Sequence, residues 1–342
     1  MSDGVRLNVE TVGPADAPVT VLLVHGWTCS TQSWHHQVEE LPRVLGADAV
    51  RVVTYDHRGH GRSEAAPAES MRIERLAEDA RTVLDEVVGE GPVVYAGHSM
   101  GGMTLMALAD RYPELFGDRI RAAALISTSS GQISEGAFGI PKRLTPAAVA
   151  AAPRAMHAVG ARADRRAARL AERLAHHDQS DSGNQAGQAG EVGPADRDGR
   201  PASGSSGFVV RGGVRRSAVR GLAWVQRAGL QRVVFGRRAD PGEVELFLES
   251  LALVPGASYG GFFEAILRHD LGHALKVLDQ VPVEIMHGTR DRLLPPRHAN
   301  RMAAELPSAR LWMYPGAGHM LMQERPRDVT HRLASLARKA AA

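Results

Sequence analysis

Cysteine, aromatic residues and long apolar runs are all scarce in this chain, and each shortage excludes something. Of 342 residues one is cysteine, Cys29, so no internal disulfide can form and nothing points to an oxidising compartment. No stretch approaches about 18 consecutive apolar residues, the length a membrane-crossing helix requires. The opening residues Met1, Ser2, Asp3, Gly4, Val5 and Arg6 lack the basic and then apolar regions of a secretion signal, so the expectation is a cytoplasmic protein without a transmembrane segment. No His-Glu-x-x-His or Cys-x-x-Cys pattern occurs. The adjacent pairs His35/His36 and His176/His177 should point about 100° apart on a helix, a poor arrangement for sharing one ion. Neither a metal nor an organic cofactor is expected. The charges nearly balance, with 41 Lys and Arg against 38 Asp and Glu, and no nucleic-acid motif accompanies the arginines, so nucleic acid is not an expected partner.

The residues present describe an ordinary globular chain, 44% hydrophobic and 23% charged, long enough to bury a large core. The apolar run 92–96 leads directly into Gly97-His98-Ser99-Met100-Gly101. A serine on so sharp a strand-to-helix turn presses its neighbours two residues away against the flanking helix and strand, so both must be small, and both are glycine. Gly102 follows, then Leu105, Met106, Leu108 and Ala109 at helical spacing, the buried helix that such an elbow requires.

A serine hydroxyl needs a base, the base an orienting acid, and the resulting oxyanion needs donors. The strand-like run 19–24 ends in His25-Gly26-Trp27, where a backbone N–H of Trp27 can turn toward the site; the N–H of Met100 would be the second donor. The short apolar strand 281–286 is followed by His287-Gly288-Thr289-Arg290-Asp291, and the run 309–314 leads through Pro315-Gly316-Ala317-Gly318 to His319. Asp291, just beyond the carboxyl end of its strand, is the candidate acid; the strand 122–126 ends in Ser127-Thr128-Ser129-Ser130 without a carboxylate.

The chain order Ser99, Asp291, His319, with His25-Gly26 upstream and the loop Tyr55-Asp56-His57-Arg58-Gly59-His60-Gly61-Arg62-Ser63, resembles the α/β-hydrolase superfamily. That resemblance implies an α/β fold with a mostly parallel central sheet, helices on both faces and an inserted helical cap. The core would comprise 1–131 and 279–342, and the cap 132–278. It further implies a serine hydrolase acting on an ester or thioester, with Ser99 as nucleophile, His319 as base, Asp291 as orienting acid, and His25, Gly26, Gly97, His98 and Gly101 supporting the elbow and the oxyanion turn. His98 is expected to leave the elbow opposite Ser99, and Asp56, the rival carboxylate, to fix its loop. Serine at the elbow disfavours epoxide hydrolase and haloalkane dehalogenase chemistry, for which relatives use aspartate. A cofactor-free haloperoxidase or perhydrolase, a carbon–carbon bond hydrolase and a non-catalytic binding protein stay open.

Elsewhere, 5–12 and 19–24 read as a leading hairpin, and Ile73, Leu76, Ala80, Val83, Leu84 and Val87 as one buried helix face stopped by Gly89. Between 131 and 278 helical stripes replace strands: Val244, Phe247, Leu248, Leu251 and Val254 form one, and Phe263, Ile266, Leu267, Leu271, Leu275 and Leu278 another. Phe262, Phe263 and Met156 are candidates for lining an apolar pocket. The Gly-, Ser- and Asp-rich stretch 179–207 buries too little to order itself and reads as a disordered loop. Arginines flank it, from Arg162 to Arg173 before and Arg211 to Arg238 after. A solvated helical face explains them more simply than an anion site. Cys29 reads as a small packed residue rather than a nucleophile.

Overall fold

The computed structural model describes residues 1–133, 151, 154–162, 164–166, 168–169 and 229–342; the 179–207 stretch and the flanking Arg173, Arg211, Arg215, Arg216, Arg220 and Arg227, with His176 and His177, lie outside them. Seven strands form one sheet: β1 (Val9–Val12), β2 (Thr20–Val24), β3 (Arg51–Tyr55), β4 (Val93–His98), β5 (Ile120–Ile126), β6 (Val283–Gly288) and β7 (Arg310–Tyr314), in the spatial order β1-β3-β2-β4-β5-β6-β7. All neighbours run parallel except β1 and β3.

The leading hairpin is corrected here. β1 pairs with β3, matching Val9 to Tyr55 and Val12 to Val52, and is not a hydrogen-bonded neighbour of β2. β2 is buried at all five positions and flanked on both sides by β3 and β4, so it has no free edge for β1. Alternating apolar residues mark a strand but carry no information about its partner.

The two faces of the sheet feed two apolar cores. Leu22 and Val24 pack with Tyr55, Tyr95 and Leu125 in one, whereas Val21 and Leu23 pack with Val52, Val94 and Ala96 in the other. This is why β2 reads as an uninterrupted apolar run: alternate side chains of a doubly covered strand are both buried. Helices α2 (Ile73–Val83) and α3 (Met100–Arg111) contribute to the first core, and α1 (His35–Leu45) and the C-terminal helix Pro326–Ala341 to the second. After α2 the chain widens into a π turn, Leu84–Val88, and stops at Gly89 with φ +73°. The helices Pro241–Leu253 and Gly256–Arg268 are inserted between β5 and β6. The second stripe is not one helix, because the chain breaks at His269 and resumes in the short turns Gly272–Ala274 and Leu275–Leu278. Among the described residues no single helix is long and apolar enough to cross a membrane.

Strand order reverses at β2, which has β3 on one side and β4 on the other. Loops leaving the carboxyl ends of β2 and β4 therefore diverge above one crevice, the usual ligand position in open parallel sheets.

Candidate active site

Ser99 follows β4 with φ 51° and ψ −116°, a strained conformation for a residue with a Cβ. The surroundings over-determine it. Its N–H donates to Ile126 O at 2.9 Å, and its carbonyl accepts from Gly102 N at 2.9 Å, Met103 N at 3.2 Å and Thr128 Oγ1 at 2.7 Å. The elbow glycines are sterically required. A Cβ on Gly97 would lie 2.5 Å from Gly101 O, one on Gly101 2.3 Å from Val24 O, and one on Gly102 2.7 Å from the Thr128 side chain.

The turn after β2 comes just as close. A Cβ on Gly26 would meet Ser99 Cβ and His98 Nδ1, each at 2.9 Å. Neither the Trp27 N–H nor the Met100 N–H has an acceptor among the described residues, so both donors remain free. The Trp27 indole anchors this turn to the inserted helices: Nε1 donates to Tyr259 O at 3.1 Å, and the ring stacks on Tyr259 at 4.7 Å.

Beneath that turn lies a buried histidine cluster. His57 N–H donates to His25 Nε2 at 3.0 Å, and His57 Nε2 donates to His25 O at 3.0 Å. Accepting at Nε2 leaves the His25 proton on Nδ1, which donates to Gly26 O at 2.7 Å. Burial keeps the rings neutral, pushing His25 down to about 4 and His60 to about 3. Asp56 accepts from Thr31 N, Arg62 N and Asn8 Nδ2 at 2.7, 2.9 and 3.0 Å. It thus ties its loop to the neighbouring chain.

Asp291 and His319, from the ends of β6 and β7, meet: Nδ1 donates to Asp291 Oδ2 at 2.7 Å. The other carboxylate oxygen accepts from Leu293 N and Leu294 N at 3.0 and 2.9 Å, which fixes the carboxylate plane and leaves Oδ2 toward the imidazole. The backbone of His319 is held on both sides. Its N–H donates to Val234 O at 2.8 Å, and its carbonyl accepts from His98 Nε2 at 3.0 Å. His98 is fully buried and burial holds it neutral, so its one ring proton serves this bond. Glu324 binds the inserted segment to the same turn, accepting from Gly236 N at 2.8 Å and Gly318 N at 2.9 Å. Burial raises its carboxyl above the usual range.

Ser99 and His319 line one cavity of about 150 Å³ with apolar walls. Ser99 Oγ makes no hydrogen bond among the described residues; such bonds in an empty site are commonly long and tighten with substrate. Met156 and Phe263 line this cavity as well, while Phe262 packs against His60 at 5.3 Å instead. Cys29 reaches the cavity wall, but burial pushes its thiol up to about 12, which leaves too little thiolate for a nucleophile.

Several contributors escaped the sequence reading. Thr128, Val234, Glu324 and the bond from His98 to His319 act across long chain separations and leave no local pattern. His35 and His36 also depart from expectation: both Nε2 atoms face Glu243, at 3.3 and 2.9 Å, with ring centroids 3.9 Å apart. The shared carboxylate draws the rings together, and it raises the pKa of His35. Their ligand atoms lie within 4.8 Å of one another, so this surface cluster is the group among the described residues that could hold an ion, and it lies outside the cavity lining.

A sequence profile of the alpha/beta hydrolase fold matches residues 19–326. The chain belongs to the α/β-hydrolase family. Among its relatives are the bifunctional esterase/perhydrolase DCH of Acinetobacter calcoaceticus, 35% identical over 125 residues covering 36% of this chain and 42% of that protein. Another is epoxide hydrolase A of Mycobacterium tuberculosis, 38% identical over 128 residues, 37% of this chain and 36% of that one. The aligned part thus spans less than half of each of these relatives. The fold matches a thermophilic esterase from Thermogutta terrifontis with a TM-score of 0.63 and 22% identity, over 99% of this chain and 95% of that one. In this α/β-hydrolase the Ser99 turn, the turn after β2 and the β6 and β7 loops all converge at the carboxyl edge of the sheet.

Proposed function

We propose that this α/β-hydrolase cleaves carboxylic esters or thioesters through an acyl-enzyme on Ser99. The observation that carries the reading is that His319, fixed by a 2.7 Å bond to Asp291, lines the same cavity as the strained Ser99. Ser99 Oγ attacks the acyl carbonyl as His319 Nε2 takes its proton. Asp291 holds the tautomer with the proton on Nδ1 and stabilises the imidazolium. The N–H groups of Trp27 and Met100 receive the oxyanion, and their lack of other acceptors means that no bond must break first. His319 then protonates the leaving alcohol or thiol, and water repeats the sequence on the acyl-enzyme. The apolar walls favour an acyl group over a strongly polar one, with the inserted helices serving as a cap above the site.

Epoxide hydrolases among the relatives do not extend that activity to this chain, because opening an epoxide by this route needs a carboxylate where Ser99 stands. Perhydrolysis is a second reading, supported by the esterase/perhydrolase relative; peroxide would replace water on the same acyl-enzyme. The test is hydrolysis of short p-nitrophenyl esters. Ser99→Ala should abolish it with the fold intact, and Asp291→Asn should lower kcat by about 10⁴ through loss of the correct tautomer. Residual hydrolysis by Ser99→Ala near the unmodified rate would remove Ser99 from the mechanism.

A further inference from the structure

Two segments beside the site carry side chains of opposite character, sorted to different sides. Leu230, Val233 and Val234, with Leu293 and Leu294, line the apolar cavity that holds Ser99 and His319. Arg232 and Arg237, with Arg290 and Arg292, line a separate cleft of about 550 Å³. Residues 229–234 are helical, which places 230, 233 and 234 on one face and turns 232 away. Arg290 and Arg292 flank Asp291 directly in sequence.

The cleft has no acidic residue in its lining. Among the described residues none of these four guanidiniums pairs with a carboxylate; the partner of Arg292 is Arg232 O, at 3.0 Å. That bond ties the two segments together. Arg232, Arg237 and Arg292 are exposed and Arg290 is half-buried, so the cations can reach a ligand from water. Four like charges around one concavity repel one another, and a surface of one sign focuses its field on the space it encloses. The planar donor fork of arginine matches a tetrahedral oxyanion bidentately. These arginines come from two separate segments rather than one helical face, and no acid lines the cleft on which they converge.

We propose that this cleft is a binding site for a phosphate group, with the inserted segment and the Asp291 loop as its two jaws. Four cations match a dianionic phosphate better than a singly charged carboxylate. The site stands or falls independently of the role given to Ser99. The phosphate could belong to the leaving group of the substrate or to a free phosphorylated ligand.

Pyrophosphate titrated calorimetrically into the full chain at low ionic strength tests the site. The expected result is saturable one-to-one binding that Arg232→Gln/Arg237→Gln weakens by about tenfold or more, with unchanged thermal unfolding, while Arg121→Gln on the far strand β5 leaves it intact. Absence of saturable binding, or equal weakening by Arg121→Gln, would overturn the proposal. Hexanoyl esters of glycerol and of glycerol phosphate then separate the sources. A lower KM for the phosphorylated ester that the double substitution erases places the phosphate on the substrate, and equal KM values alongside pyrophosphate binding make it a free ligand. Should neither ester be cleaved, the acyl-enzyme reading fails while the titration still decides the site.

Discussion

At the scale of single residues, the site depends on atoms that are missing as much as on those present. Gly26 lets the turn after β2, the proposed oxyanion turn, lie against Ser99, since a Cβ there would sit 2.9 Å from Ser99 Cβ. Gly26→Ala must push the Trp27 N–H away from the developing oxyanion, so kcat should fall by about 10² to 10³ with little change in KM; an unaltered kcat would remove Trp27 from the oxyanion site. The buried histidines give a second residue-scale prediction. His60 is neutral in the folded protein, at about 3, but binds a proton near its ordinary 6.5 when unfolded. Between those values the unfolded state holds more protons, so stability is fully present above about pH 6.5 and is lost as pH falls toward the folded value. His60→Gln should remove up to about 1.4 kcal/mol per pH unit from the slope of unfolding free energy between pH 6 and 4. Identical slopes in denaturant titrations of the two proteins would contradict a neutral buried His60. The elbow glycines Gly97 and Gly101 were legible in the sequence because the elbow is a turn of known shape, whereas Gly26 was named only through the family resemblance, since its close contacts, His98 and Ser99, come from a distant part of the chain.

At the scale of elements, the inserted segment is part of how His319, the proposed base, is held. Val234 O accepts the His319 N–H, and Glu324 bridges Gly236 N and Gly318 N. Close packing accompanies these bonds, because a Cβ on Gly318 would lie 2.4 Å from the Phe235 carbonyl carbon. Glu324→Ala leaves two half-buried N–H groups without a partner, at about 1–3 kcal/mol each. Chemical unfolding should show that loss, and kcat should fall with it as the His319 turn loosens; wild-type stability and turnover together would show the bridge to be idle. None of this was legible beforehand. Gly236 and Glu324 are 88 residues apart, and hydrophobic periodicity reports which face of an element is buried, not which distant carbonyl or carboxylate it meets. The same limit explains β1, whose apolar alternation marked a strand but whose partner, β3, was fixed by burial of both edges of β2.

At the scale of the whole molecule, a doubly covered parallel sheet brings the ends of β2, β4, β6 and β7 to one edge and there assembles side chains separated by 220 residues of sequence. Ser99, Asp291, His319 and Trp27 were singled out from short local signals, each a turn at a strand end, and the fold brings them together because such turns share the carboxyl edge of the sheet. The arginine cleft had no such signal, since its members come from segments more than 50 residues apart that the fold brings side by side, joined there by the Arg292 to Arg232 bond. The most direct test of the central claim is labelling with a fluorophosphonate, followed by peptide mapping of the adduct by mass spectrometry. The account predicts one phosphonyl group per chain, on Ser99, forming rapidly in the unmodified protein and at least about 10³-fold more slowly in His319→Ala. An adduct on another residue, or a rate at Ser99 that is indifferent to His319, would contradict it.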